Sequence, residues 1–179
     1  MIKKDDYAFV LDYLPNGYPM EGNMRPVVQA IGEQHLALLE LAPIRGASIN
    51  VKEKVYIGPE KRDKIYYIIG RLHTERLTGT AKIQLQEFVE KLVGEREQEF
   101  VRFFNNAQAM NTRLHQLELL PGFGRKHTQE VLSARTEKPF ESFEDIKQRV
   151  KSVPDPKRAI EKRIMEELTE DPRQRLFVH

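Results

Sequence analysis

Apolar positions along the chain follow two rhythms, and the change comes near residue 76. Before it, the apolar runs are short and rich in β-branched and aromatic types. Residues 7–14, Tyr-Ala-Phe-Val-Leu-Asp-Tyr-Leu, are too short for an independent helix and predict a strand. Segments 26–31, 36–41, 54–57 and 64–71 predict four more. Turn chemistry separates them: Pro15, Asn16, Gly17, Pro19, Gly22 and Asn23 after the first, then Gly32-Glu33, the stretch 43–50, and Gly58-Pro59-Glu60. Short strands at this spacing predict a small closed or partly open β-barrel, OB-like or SH3-like.

After residue 76 the period becomes helical. Leu85, Phe88, Val89 and Leu92 recur at helical spacing, with Thr78 or Thr80 as N-cap and Gly94 as the stop. A helix over 95–105 places Phe100, Phe103 and Phe104 near one face. Aromatics at that spacing read as core, with a base-stacking platform as the alternative. From residue 106 the pattern predicts four helices. The first covers 107–118, with Met110, Leu114 and Leu117 inward; the second covers 125–135 and buries Val131 and Leu132. The third starts at Ser142 in a capping box with Asp145 and buries Phe143, Ile146 and Val150. The fourth takes Asp155 as N-cap and Pro156 as its first residue, buries Ile160, Ile164 and Leu168, and stops before Pro172. Residues 171–179 carry no clear element; Leu176, Phe177 and Val178 are its docking residues.

Composition narrows the chemistry. With 179 residues, the chain is one large domain or two small ones. It has no cysteine, which excludes disulfides and any zinc or iron–sulfur site held by thiolates. Its five histidines, His35, His73, His115, His127 and His179, lack ligand spacing, so a metal enzyme is not expected. No apolar run reaches membrane-spanning length, and the N-terminus carries no secretory core. A cytoplasmic protein without a membrane partner is the expectation. Net charge is only +2, so an electrostatic footprint has to be local. One candidate is the segment 52–76, where Lys52, Lys54, Lys61, Arg62, Lys64, Arg71 and Arg76 face four carboxylates. A solvated hairpin is the alternative reading of that segment.

A second candidate is Leu119-Leu120-Pro121-Gly122-Phe123-Gly124-Arg125-Lys126. Two helices joined by so tight a turn need residues free of Cβ constraints, which Gly122 and Gly124 supply. Phe123 between them is expected inside, pinning the turn. The next helix then begins near Arg125, with its unpaired amides facing outward at a glycine-lined surface. Such a helix start is an anion site, and Arg125 and Lys126 add charge beside it. A phosphate is the natural occupant. Nothing resembles a phosphate loop of the Gly-x-x-x-x-Gly-Lys-Ser/Thr type, and no Ser–His–Asp or Cys–His arrangement is visible.

The run from Leu120 to Lys126 resembles the helix-hairpin-helix family, whose core is apolar-Pro-Gly-apolar-Gly-X-Lys. The resemblance implies non-sequence-specific contact with a DNA or RNA backbone through Pro121, Gly122, Phe123, Gly124, Arg125 and Lys126. No cofactor is expected, except that in this family a monovalent cation sometimes bridges hairpin carbonyls, here around Gly122 and Gly124, and a phosphate. Residues 138–146 resemble the linker and third helix of tandem helix-hairpin-helix (SAM-like) domains. The second hairpin departs from that pattern: Ser152 and Pro154 stand where glycines belong, Pro156 has no N–H, and Asp155 repels an anion. It reads as mainly structural, with Lys151, Lys157 and Arg158 as flanking contacts. In overall layout the chain resembles an uncharacterised, mainly archaeal family with an OB-like barrel followed by a tandem helix-hairpin-helix domain. The expectation is thus an α+β protein: barrel 1–76, connecting helices 77–105, helical domain and tail 106–179. Lys52, Lys54, Lys61, Arg62, Lys64 and Arg71 would add a second weak surface, multiplying affinity if both engage.

Two rival functions share these residues. One is a non-catalytic docking module for a protein of a repair, replication or ribosomal complex, which the near-neutral charge favours. The other is a DNA glycosylase or lyase. The hairpin resembles that of the helix-hairpin-helix glycosylases, in which a lysine at the position of Lys126 is the nucleophile and a later aspartate assists; here Glu144 and Asp145 lie at that distance. The roughly 70 residues of helical body leave little room for a base pocket, and no catalytic residue is assigned.

Overall fold

The period change is real. In the computed structural model, which describes residues 4–179, strands β1 (Tyr7–Leu14), β2 (Val27–Gly32), β3 (Leu38–Pro43), β4 (Lys54–Tyr56) and β5 (Ile65–Arg71) precede helices α1 (Gly79–Glu95), α2 (Glu97–Asn106), α3 (Arg125–Glu137), α4 (Phe143–Arg149) and α5 (Pro156–Thr169). The chain divides into two units. One holds the residues up to Glu87 together with Leu168–His179; the other is Phe88–Glu167. Among the described residues no helix is long and apolar enough to cross a membrane.

The sheet is antiparallel throughout, in the order β4-β1-β2-β3-β5. It curls into a half-barrel. β4 and β5 form its two edges and do not pair, so the fully closed barrel is not formed. The concave face carries the core: Ala8, Val10, Val28, Ala30, Leu41 and Ile65 are each fully buried. β5 is bulged at both ends of its pairing with β3, between Glu40 and Leu41 and between Ala42 and Pro43. The bulges break strict alternation, so that Ile65 and Ile68 face the core while Tyr66, Tyr67 and Ile69 are exposed.

The convex face buries Val27, Ile31 and Leu38 together with the polar Gln29 and Glu40, and these polar groups find partners. Gln29 is fully buried. Its Nε2 donates to the Arg76 carbonyl at 2.7 Å and the Tyr18 hydroxyl at 3.2 Å, and its Oε1 accepts the Thr78 N–H at 3.2 Å. Thr78 Oγ1 donates to Asp12 at 2.5 Å and accepts the Ala81 N–H at 3.0 Å, which makes Thr78 the N-cap of α1. Gly94 does not end that helix, which continues to Glu95.

In the helical unit the largest difference from expectation lies at 107–118. No helix forms there. Asn111 Oδ1 accepts the N–H groups of Arg113 (2.8 Å) and Leu114 (2.9 Å), and Ala109 bridges to His115 as a short antiparallel pair. An asparagine that satisfies the backbone locally competes with the helix ladder, and here it wins. Met110 is consequently 40% exposed, and only a 3₁₀ turn, Gln116–Leu119, precedes the hairpin. The other helices form where their pattern puts them, although in α3 Val131 is buried while Leu132 is only half-buried. Ser142 Oγ accepts the Asp145 N–H at 2.9 Å, Asp155 Oδ1 accepts the Lys157 N–H at 3.1 Å, and Ile146, Ile160 and Ile164 are fully buried.

Replacing Gln29 by leucine removes the partners of Arg76 O and Thr78 N–H while keeping the volume. A stability loss of about 2–5 kcal/mol is expected from two orphaned backbone groups. Urea unfolding followed by circular dichroism measures it; a loss under about 0.5 kcal/mol would mean the network is not what holds the start of α1.

Candidate nucleic-acid interface

The hairpin is a closed turn. Leu120 is buried, and its carbonyl accepts the Phe123 N–H at 3.0 Å across Pro121 and Gly122. Gly122 lies at φ +83°, and a Cβ there would stand 2.9 Å from Pro154 Cγ. Conformation and space therefore both demand glycine. Phe123 points inward, 5% exposed, with its ring 6.0 Å from that of Phe104 and 6.0 Å from that of His127. Gly124 needs no such freedom. Its backbone is extended (φ −101°, ψ −172°), and a Cβ would meet open space. What its missing side chain leaves is access.

α3 begins at Arg125, and its first ladder bond runs from the Thr128 N–H to the Gly124 carbonyl at 3.0 Å. The N–H groups of Gly122, Arg125, Lys126 and His127 thus have no acceptor among the described residues. The Gly124 N–H is not among these open donors: His127 Nδ1 accepts it at 3.1 Å, contrary to the expectation that both hairpin glycines offer their amides. Arg125 and Lys126 are exposed and form no ion pair with any described residue. An open depression of about 600 Å³ runs beside α3, with Lys126 and Lys151 among its lining residues.

Several side chains tie the backbone around this turn. Arg149 donates to the carbonyls of Ala134 (2.6 Å) and Lys138 (2.7 Å) at the end of α3 and lies over the Phe140 ring. Arg135 donates to the Phe104 carbonyl at 3.0 Å. Asn105 holds Phe140 in both directions, accepting its N–H at 2.8 Å and donating to its carbonyl at 3.0 Å. Arg163 donates to the Leu119 carbonyl just before the hairpin. His115 opens the 3₁₀ turn: its Nδ1 accepts the Leu117 N–H at 3.1 Å, while Glu118 accepts the His115 N–H at 2.7 Å.

The cations of the sheet unit are arranged differently. Lys52 meets Glu87 (3.4 Å), Lys54 meets Glu33 (3.0 Å), Lys64 meets Glu53, and Arg71 meets Asp171 (3.5 Å). Arg62 Nε donates to the Gly58 carbonyl at 2.8 Å, and Lys61 is exposed. Four of these six cations face carboxylates, so they do not form one unneutralised stripe. Lys126 is solvent-exposed, and the Asp145 carboxylate accepts the Glu141 N–H at 3.0 Å and pairs with Arg149 at 3.3 Å. Among the described residues no group of three or more His, Asp or Glu side chains is placed to hold a metal ion.

Kinship matches this layout. A family model described as "Protein of unknown function (DUF655)" matches residues 4–179. The chain belongs to this family. A curated DUF655-like relative, the uncharacterized protein MJ0038 of Methanocaldococcus jannaschii, is 42% identical over 176 residues, 98% of this chain and 80% of the relative. A crystal structure of Af1531 from Archaeoglobus fulgidus, also assigned to the DUF655 family, superposes with a TM-score of 0.84 at 40% identity, covering 98% of this chain and all of that one.

Three residues around the hairpin have roles that sequence reasoning missed: Pro154, which walls Gly122; His127, which takes the Gly124 amide; and Arg149, which gathers carbonyls. His127 stands three residues after Gly124, the spacing at which a helix's third residue reaches back to its N-cap amide.

The His115 cap is expected to make the helical unit acid-sensitive. Burial and the Arg135 charge lower its pKa from 6.5, with Glu118 opposing. A histidine with a lowered folded-state pKa leaves stability intact above about 6.5 and erodes it as the pH falls from there through the folded value. His115→Asn keeps an acceptor for the Leu117 N–H but cannot titrate. Thermal melts at pH 7 and pH 5 are expected to show a larger drop for the wild type than for this variant; equal drops would place the acid sensitivity elsewhere.

Proposed function

We propose that the protein binds DNA or RNA through the phosphate backbone, without reading sequence, at the start of α3. The observation that carries this reading is the set of open amides of Gly122, Arg125, Lys126 and His127, converging where two exposed cations lack carboxylate partners. Amides and dipole at a helix start favour an anion, and the charges of Arg125 and Lys126 favour a polyanion. The resemblance of Leu120–Lys126 to the helix-hairpin-helix core supports the same reading. In this reading the unit around α3 is a helix-hairpin-helix domain whose first helix has shrunk to a single 3₁₀ turn, and the half-barrel is an OB-like companion. A monovalent cation at the hairpin would draw on the carbonyls of Pro121 and Gly122, since those of Leu120 and Gly124 already accept from Phe123 and Thr128.

Gly124→Asp tests the proposal without sacrificing the fold. Residue 124 is the N-cap, its φ suits any residue, and an aspartate there is a favoured cap. Its carboxylate would occupy the amides and repel phosphate. The melting temperature is expected to hold or rise, while affinity for short duplex DNA or RNA at low salt, read by fluorescence anisotropy, falls about tenfold or more. Wild-type binding should weaken log-linearly with salt. If the wild type binds no nucleic acid at low salt, or the variant binds equally well, the site is not a phosphate contact and a protein partner becomes the better reading.

A further inference from the structure

The two hairpins of the helical unit share a plan and differ in chemistry. In each, a buried residue accepts from the residue three further on: Leu120 from Phe123 at 3.0 Å, and Val150 from Val153 at 3.3 Å. From that residue the first hairpin reaches its helix at Arg125 and the second at Pro156, one residue later. The helix starts then diverge. Pro156 has no N–H to offer, and Asp155 Oδ1 accepts those of Lys157 (3.1 Å) and Arg158 (3.4 Å). The start of α5 therefore carries its own carboxylate where the start of α3 carries none.

Two groups of the second hairpin meet the first hairpin and the helix that follows it. Ser152 Oγ is hydrogen-bonded to Glu130 on α3. Pro154 Cγ fills the space that a Cβ on Gly122 would need. The Pro154 ring therefore stands against the Gly122 side of the turn, which holds φ +83° with the Gly122 amide open. A loop held in its bound conformation before binding loses less entropy on binding.

We propose that the second hairpin is not a second phosphate site but the positioning element of the first, with Pro154 and Ser152 as its positioning residues. This rests on the backbone-binding reading above and gives it a ligand class. With one functional hairpin the helical unit grips a single run of phosphates, so unpaired strands and duplexes serve equally well.

Five variants test it: Lys126→Ala, Lys151→Ala, Pro154→Gly, and Gly122→Ala with and without Pro154→Gly. Anisotropy is read over a salt series with oligo(dT) and a duplex of equal length, and each variant is melted first. Lys126→Ala is expected to lower the salt slope by about 0.7–0.9, one phosphate contact. Lys151→Ala is expected to change neither slope nor affinity. Pro154→Gly should keep the slope and weaken binding about fivefold to thirtyfold, the equivalent of re-ordering one backbone residue on binding. Gly122→Ala should cost less in the Pro154→Gly background than alone, because the clash is gone while the φ strain is common to both.

A Lys151→Ala slope change equal to that of Lys126→Ala would overturn the inference, since the second hairpin would then be a contact in its own right. So would full affinity in Pro154→Gly, additive effects of Gly122→Ala and Pro154→Gly, or wild-type binding to the duplex alone. Should Pro154→Gly fail to fold, Ser152→Ala takes its place, with the same expectation of weaker binding at constant slope. No wild-type binding to either probe removes the backbone-binding reading and this inference with it. Normal wild-type binding with any of the other contrary results removes this inference alone.

Discussion

Short helices are rich in ends, and ends are rich in unpaired backbone. Each helix leaves up to four amides and four carbonyls without ladder partners. Helices α2 to α5 run from 7 residues in α4 to 14 in α5, so a large share of the second unit's backbone faces this problem. Much of the unit's side-chain hydrogen bonding answers it. Arg149 collects the carbonyls at the end of α3, Arg135 takes one at the end of α2, Asn105 clasps Phe140 from both sides, and Ser142 and Asp155 cap the starts of α4 and α5. Against that background the start of α3 is conspicuous for what it leaves open. The glycine at its N-cap contributes no oxygen, and three successive amides remain free.

The same contrast appears in the charges. Cations on the sheet unit are mostly matched to carboxylates across short distances, an arrangement worth little in stability when exposed but effective in cancelling local potential. Arg125 and Lys126 have no such match. A chain of net charge +2 can therefore present a locally positive spot without looking basic as a whole. Its total charge was a poor guide because neutralisation is a matter of neighbours, and neighbours are set by the fold.

Much of the architecture was legible in the chain itself. Each strand was placed within about two residues of its observed limits, and the caps at Thr78, Ser142 and Asp155 act as their residue types suggest. These are local features, decided by a few adjacent side chains. Failures came where a local rule met a competing local bond or a distant neighbour. Met110, Leu114 and Leu117 have helical spacing, yet Asn111 diverts the backbone between them. The turn at Gly122 was readable from its glycine and proline, but the proline that walls it stands 32 positions away. Gly124 was expected to need conformational freedom; it lies in ordinary extended backbone instead. Whether the barrel closes was left open by the sequence, because pairing between the edge strands β4 and β5 depends on direction and curl rather than on composition.

The division of the chain has a temporal side. Leu168–His179 belongs with the sheet unit, although those residues are the last of the chain described. On a ribosome the strands emerge first, yet their unit lacks Leu168–His179 until the helical unit has been made. The helical unit, Phe88–Glu167, is contiguous and has all its residues earlier. Order of synthesis and order of completion are therefore reversed: the part begun second can finish first, and the sheet unit waits for Leu168–His179, which follows it.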